Sequence, residues 1–224
     1  QAWIPQIYDL FPEVPLVSIS NRQRVPMPHL NFAATILHGM PRELLRPVEA
    51  EPGYFAFLGR ISPEKGIEAA IAIASACGEK LVVAAKVGEE DAPYYDQVVA
   101  PLLEGDDVAF IGEIDDGQKP GFLSGAKALL FPIDWPEPFG LVMIEAMACG
   151  CPVIAFGKGS VPEVIEDGVT GFVVDTVEQA VAACGRLGEI SRAGVRARFE
   201  ERWTARRMAE EYVALYERLI AEKR

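Results

Sequence analysis

From residue 54 onward, six short apolar runs alternate with amphipathic segments, and few folds accommodate that rhythm. The runs are YFAFL (54–58), LVVAA (81–85), VAFIG (108–112), ALLFP (128–132), PVIAF (152–156) and GFVVD (171–175). Most are apolar throughout rather than at every second residue, as strands are when both sheet faces are covered. Segments 64–77, 92–104, 117–126, 140–149, 161–166 and 177–187 carry helical spacing between them. In the first of these, Ile67, Ala70, Ile71 and Ala74 share one stripe. Strands separated by helices pair in parallel through crossover connections, so the expected fold is α/β with a doubly wound parallel sheet. Ligands of such sheets bind where strands end in loops that lead into helices. The functional residues are therefore expected directly after strands.

Outside 54–195 the pattern changes. VPLVSIS (14–20) and ATILH (34–38) read as strands, and the Pro-rich, charged stretch 41–53 reads as a linker. Two strands cannot make a core of their own, so they need a sheet outside this sequence or a place on this one. After residue 195 the spacing predicts a long helix whose apolar face is Met208, Tyr212, Leu215, Tyr216 and Leu219. That face needs a partner as well, and self-association through segment 14–38 and helix 204–220 is one expected use of it.

Composition narrows the partners. A net charge of −12 argues against nucleic acid or an anionic membrane, since both require a basic footprint. The one basic stretch, Arg192 to Arg207, is interleaved with Glu200 and Glu201 and reads as a solvated helix face. Neither a membrane-spanning run nor a signal-peptide pattern is present in the 224 residues. The first residue is Gln1, and the expectation is that the sequence begins inside a longer protein. Cys77, Cys149, Cys151 and Cys184 lack zinc-ligand spacing and read as small buried residues of a reducing cytoplasm.

Three strand-to-helix junctions carry unusual chemistry. In the first, Gly59-Arg60-Ile61-Ser62-Pro63-Glu64-Lys65-Gly66, Gly59 permits a close turn and Ser62 or Pro63 can open a helix. Arg60 and Lys65 then stand beside a helix N-terminus, a place that suits a diphosphate. In the second, Gly112 to Lys119, acidic residues before a helix serve as caps, and the functional alternative is a base-binding edge at the backbone of Ile114.

The third junction runs from Asp134 to Glu145. Pro138 keeps Glu137 extended and outside the helix, which begins near Phe139 or Gly140 with its free N–H groups toward whatever Glu137 touches. Gly140 lets a ligand approach the backbone. Glu145 lies one turn past Leu141, about 6 Å along the axis. Its neighbours Val142, Met143, Ile144, Ala146, Met147 and Ala148 make the helix apolar almost all round, so this carboxylate needs a partner, a ligand or an arginine. Two carboxylates at different depths of one cleft can grip two sets of hydroxyls.

Taken together these residues resemble the retaining glycosyltransferases of family 4, enzymes of GT-B architecture with two facing Rossmann-like domains. The resemblance rests on Gly-Arg-x-x-Pro-Glu-Lys-Gly (59–66), Glu-x7-Glu (137–145) and Gly150-Cys151-Pro152-Val153-Ile154. Pro162-Glu163-Val164-Ile165 and Asp167-Gly168-x-Thr170-Gly171-Phe172 follow in family order, and the resemblance covers roughly residues 16–220. It implies a Rossmann-like nucleotide-sugar domain at 54–195, the C-terminal half of a GT-B enzyme. It also implies a remnant of the N-terminal acceptor domain at 1–40, an interdomain linker at 41–53, and at 196–224 a C-terminal helix that would pack back on the N-terminal domain, most of which lies outside this sequence.

The resemblance further implies a residue-by-residue site. Arg60, Lys65 and Glu137 would form the catalytic group, the two cations holding the diphosphate and Glu137 the sugar hydroxyls. Glu145 would bind the ribose, and Gly59 and the backbone of Phe139, Gly140 and Leu141 would lie beside the sugar and diphosphate. Ile114 would meet the base, with Asp116 and Lys119 nearby. No metal or cofactor is implied; the donor is a substrate, a UDP-sugar by default with GDP-sugars close behind. The acceptor is a small molecule, lipid or glycan, and the location is cytoplasmic or membrane-peripheral through the other domain.

Departures from the family shape the remaining expectations. Leu37-His38-Gly39-Met40-Pro41 replaces an Asn-Gly-Val-like junction, and neither His29 nor His38 stands where the family's active-site His does. The chain alone is therefore expected to be inactive or nearly so, and a nucleotide-sugar-binding module without catalysis is the alternative reading. A glycoside hydrolase would leave the Arg60/Lys65 pair without a task, and a dinucleotide-dependent dehydrogenase would need a Gly-x-Gly-x-x-Gly that follows no strand here.

Overall fold

The computed structural model describes residues 4–222, with side chains from residue 7 onward. A short helix α1 (Ile4–Asp9) leads into two parallel strands, β1 (Leu16–Ser18) and β2 (Phe32–Thr35), which form a small sheet of their own. The main sheet follows: β3 (Tyr54–Ile61), β4 (Leu81–Val87), β5 (Val108–Gly112), β6 (Ala126–Phe131), β7 (Val153–Phe156) and β8 (Gly171–Val174). Its spatial order is β5-β4-β3-β6-β7-β8, every neighbouring pair parallel. The expected doubly wound sheet is therefore present, with β1 and β2 standing apart from it.

The connecting helices are α2 (Ile67–Ala76), α3 (Ala92–Tyr94), α4 (Ala100–Leu102), α5 (Lys119–Ser124), α6 (Leu141–Ala148), α7 (Val161–Val164) and α8 (Val177–Cys184). The segment predicted as one helix at 92–104 is broken: five residues of π-helix, Tyr95–Val99, separate α3 from α4. Pro93 and Pro101 each occupy the first turn of a helix, where the missing N–H costs nothing. The core lies on both faces of the sheet, with Phe55, Ile67, Ile73, Leu81, Leu123, Leu129 and Leu130 almost fully buried. Continuously apolar strands supply that burial, at about 25 cal/mol per Å² of apolar surface removed from water.

The C-terminal helix differs from expectation. It is two helices, α9 (Arg192–Arg202) and α10 (Ala205–Glu222), broken at Trp203 and Thr204. The segment leading into the linker causes the break: Met40 N–H donates to the Trp203 carbonyl at 2.9 Å, and Ala205 N–H donates to the Met40 carbonyl at 2.8 Å. Those carbonyl and amide groups cannot also continue a helical ladder. Of the predicted apolar face only Leu215 is buried; Met208, Tyr212 and Leu219 are half-buried and Tyr216 is exposed. α10 reaches the segment that holds the small sheet, where Arg218 donates to the Ala33 carbonyl and Arg207 to those of Leu37 and His38. No helix among the described residues is long and apolar enough to cross a membrane.

Candidate functional site

Strand order reverses direction between β3 and β6: β4 and β5 extend the sheet to one side of β3, β7 and β8 to the far side of β6. The crevice beyond the carboxyl ends of β3 and β6 is the binding position in open parallel sheets. Two adjoining cavities occupy it. One of about 110 Å³ is lined by Leu58, Gly59, Lys65, Glu137, Gly140 and Leu141; its neighbour of about 220 Å³ shares Leu58, Gly59 and Val142 and adds Ile114, Lys119 and Glu145.

Lys65 and Glu137 meet in the smaller cavity. Lys65 ends a 3₁₀ turn, Pro63–Lys65, that Gly66 terminates in the left-handed region (φ 73°) before α2 begins. A side chain on Gly66 would run into the Pro132 carbonyl at 2.0 Å, so only glycine lets the two strand-end loops pack this closely. The Lys65 ammonium then donates to Glu137 Oε2 at 2.5 Å. Trp135 Nε1–H donates to the same oxygen at 2.9 Å, and the Lys65 ammonium lies 5.1 Å from the centre of the Trp135 ring. Glu137 is buried, and both of its side-chain partners are donors to that one oxygen.

A second loop fixes the Glu137 backbone. Ser160 N–H donates to the Glu137 carbonyl at 2.9 Å and Ser160 Oγ–H to the Phe139 carbonyl at 2.8 Å. Gly159 (φ 52°) passes so near that a Cβ there would lie 2.3 Å from the Glu137 carbonyl oxygen. Beyond Phe139, Gly140 (φ 77°) serves as the N-cap of α6, whose first N–H groups open toward the smaller cavity.

Glu145 takes its partner in the larger cavity. Lys119 Nζ donates to Glu145 Oε1 at 2.9 Å and to Asp116 Oδ1 at the same distance. Burial pulls the Lys119 pKa down, but the hydrogen bonds that its ammonium donates to Glu145 and Asp116 outweigh it and hold the pKa above its ordinary value. Ahead of Lys119, Asp115 Oδ1 accepts from the N–H groups of Gly117 and Gln118 and so caps the entry to α5.

The model of the family described as Glycosyl transferases group 1 matches residues 45–201. The chain belongs to that family. Among curated proteins it resembles the alpha-maltose-1-phosphate synthase of Mycolicibacterium smegmatis, 28% identical over 208 residues, 84% of this chain and 52% of that protein. The chain thus spans about half the length of that relative. Two solved structures share the fold. Sucrose-phosphate synthase from Thermosynechococcus elongatus superposes with a TM-score of 0.83 at 23% identity, covering 99% of this chain and 63% of the other. Anabaena HepE in complex with UDP-glucose does so with a TM-score of 0.80 at 19% identity, covering 97% and 67%.

Within this glycosyltransferase domain, Gly59, Lys65, Ile114, Lys119, Glu137, Gly140, Leu141 and Glu145 line the paired cavities. Phe139 is buried directly beside them. Arg60 does not join them and lines neither cavity. Residue 59 was expected to turn the chain, yet β3 runs on to Ile61, so Arg60 is a strand residue whose side chain is taken up by carboxylates. Its Nη1 and Nη2 each lie 3.1 Å from a carboxylate, of Glu90 and Glu64, and Nε lies 3.3 Å from Asp91. Asp116 is half-exposed and touches the site through Lys119. The protein partner of Glu145 is a lysine rather than an arginine. Three contributors were not foreseen as such: Trp135 as a donor to Glu137, Lys119 as the holder of Glu145, and Gly159-Ser160 as a clamp. The stretch Gly157-Lys158-Gly159-Ser160 follows β7 directly, so the strand-end rule applied to that junction too would have found it.

Proposed function

We propose that this chain is the donor-binding domain of a retaining glycosyltransferase and holds a nucleoside diphosphate sugar, UDP-linked in the first instance. Supporting the reading most directly, each of two carboxylates in one cleft has a single oxygen held by a lysine, Glu137 by Lys65 and Glu145 by Lys119. The other oxygen of each has no protein partner among the described residues. Two fixed acceptors at two depths suit the hydroxyls at the two ends of such a donor, with the diphosphate between them.

In this arrangement Glu145 takes ribose hydroxyls, Glu137 takes sugar hydroxyls, and the backbone of Ile114 meets the base. Lys65 and the free N–H groups at the start of α6 face the diphosphate, and Gly59 and Gly140 let it approach the backbone. Arg60 joins them by exchanging its present carboxylates for phosphate oxygens, one set of charge-assisted hydrogen bonds for another. Asp116 acts indirectly, by steadying Lys119. Catalysis would consist of positioning plus electrostatic stabilisation of the departing diphosphate. The shared fold holds UDP-glucose in the Anabaena protein. Because the chain spans about half of its M. smegmatis relative, transfer is proposed for the enzyme as a whole and donor binding for this chain. Saturation-transfer NMR with UDP-glucose and GDP-mannose tests the reading. Base, ribose and hexose protons of one donor are expected to receive saturation; none from either donor would overturn it.

A further inference from the structure

Lys65 and Glu137 would be an ordinary ion pair but for the residue that touches both. Trp135 lies two positions before Glu137, and Glu137 N–H donates back to the Trp135 carbonyl at 2.8 Å, which folds the indole over its own downstream neighbour. The two ends of the indole then serve different purposes. Nε1–H donates to Glu137 Oε2 at 2.9 Å, while the ring lies 5.1 Å from the Lys65 ammonium. An ammonium over an aromatic face is attracted by the ring's negative quadrupole.

The consequence lies in which atoms remain free. Oε2 of Glu137 accepts from both Lys65 and Trp135, whereas Oε1 has no protein partner among the described residues. The Lys65 ammonium has given one of its three donors to Glu137, and the ring face beside it offers no acceptor lone pair. Without the indole N–H the Glu137 carboxylate can rotate and turn Oε1 away from a ligand, while without the ring face the Lys65 ammonium loses the surface that holds it in place.

We infer that Trp135 is a positioning residue that fixes the orientation of the Lys65–Glu137 pair, so that Glu137 Oε1 is reserved for a donor-sugar hydroxyl and the remaining Lys65 N–H groups for the diphosphate. This rests on the donor-binding reading given above. It makes sugar recognition and diphosphate recognition separable at one side chain. Trp135→Phe deletes the N–H donor and keeps the ring face; Trp135→Leu deletes both.

Calorimetric titration of the full chain and both variants with UDP and with UDP-glucose, repeated with GDP and GDP-mannose, tests it, with circular dichroism and thermal melting to establish folding. For Trp135→Phe, affinity for the nucleotide sugar is expected to fall about tenfold while that for the nucleoside diphosphate changes less than about twofold, the scale of one hydrogen bond to a charged group. For Trp135→Leu both affinities are expected to fall. A merely structural role would lower both together in the two variants. Equal loss for sugar nucleotide and diphosphate in Trp135→Phe, or no loss, overturns the inference and leaves the donor-binding reading standing. If the folded parent chain binds none of the four probes, the donor-binding reading fails and this inference fails with it.

Discussion

Lys65 and Glu137 are 72 positions apart in the chain and meet at 2.5 Å across the crevice between β3 and β6. They lie in the loops that follow the two strands flanking the point where the sheet order reverses, so the fold itself brings them together. Their side chains are largely covered, with 23% and 12% of their surface exposed. A pair this enclosed is expected to contribute to stability as well as to binding.

Removing one member leaves the other charge partly buried with fewer partners. Lys65→Met is expected to destabilise the chain by about 1–3 kcal/mol and to abolish measurable diphosphate binding. Glu137→Gln keeps the shape and a hydrogen bond from Trp135 or Lys65, so its stability cost should be smaller. Urea denaturation of the three chains, followed by far-UV circular dichroism, checks the order.

The clamp on the Glu137 backbone makes a steric prediction. Gly159→Ala would drive a methyl group to within 2.4 Å of Glu137 N, so the loop must shift, at a cost of about 2–4 kcal/mol and with loss of nucleotide-sugar binding. Gly168→Ala is the control. Its glycine also has positive φ (74°) but a Cβ would meet nothing within 4 Å, so only backbone strain of about 1–2 kcal/mol is expected and binding is kept.

His38 gives the segment before the linker a pH dependence. It sits edge-on to Phe139 with ring centres 5.0 Å apart, and burial first, then the nearby Arg207 charge, hold its pKa below the ordinary 6.5. The unfolded chain takes up a proton at His38 near pH 6.5 while the folded chain still resists it. More protons bound to the unfolded state means that stability is fully present above pH 6.5 and is lost as pH falls through the depressed value. Melting temperatures between pH 7.5 and 5.5 should decline for the parent and decline less for His38→Phe, which keeps the aromatic contact without the titration.

How much of this was legible beforehand depends on how local each cause is. The six strands were readable because burial on both faces forces each run to be apolar by itself, and the two glutamates were readable because Pro138, Gly140 and an all-apolar helix are local signals. The carboxylates around Arg60 were not legible, for a non-local reason. β4 runs alongside β3 with Lys86 opposite Arg60, which carries the acidic loop of Glu89, Glu90 and Asp91 to the guanidinium. Strand adjacency of that kind is not written in either segment. The break between α9 and α10 has the same character, since it depends on Met40 arriving from the far end of the chain. Trp135 was visible as a residue but not as a donor, because its direction follows from how the loop folds back onto itself.

The central claim is that Glu137 and Glu145 grip different ends of one donor. Its most direct test is the calorimetric affinity of the parent, Glu145→Gln and Glu137→Gln for UDP and UDP-glucose side by side, with the GDP pair as a second series. Glu145→Gln is expected to weaken nucleoside diphosphate and nucleotide sugar alike, about tenfold each, while Glu137→Gln weakens only the nucleotide sugar. Indistinguishable profiles for the two variants would contradict the account.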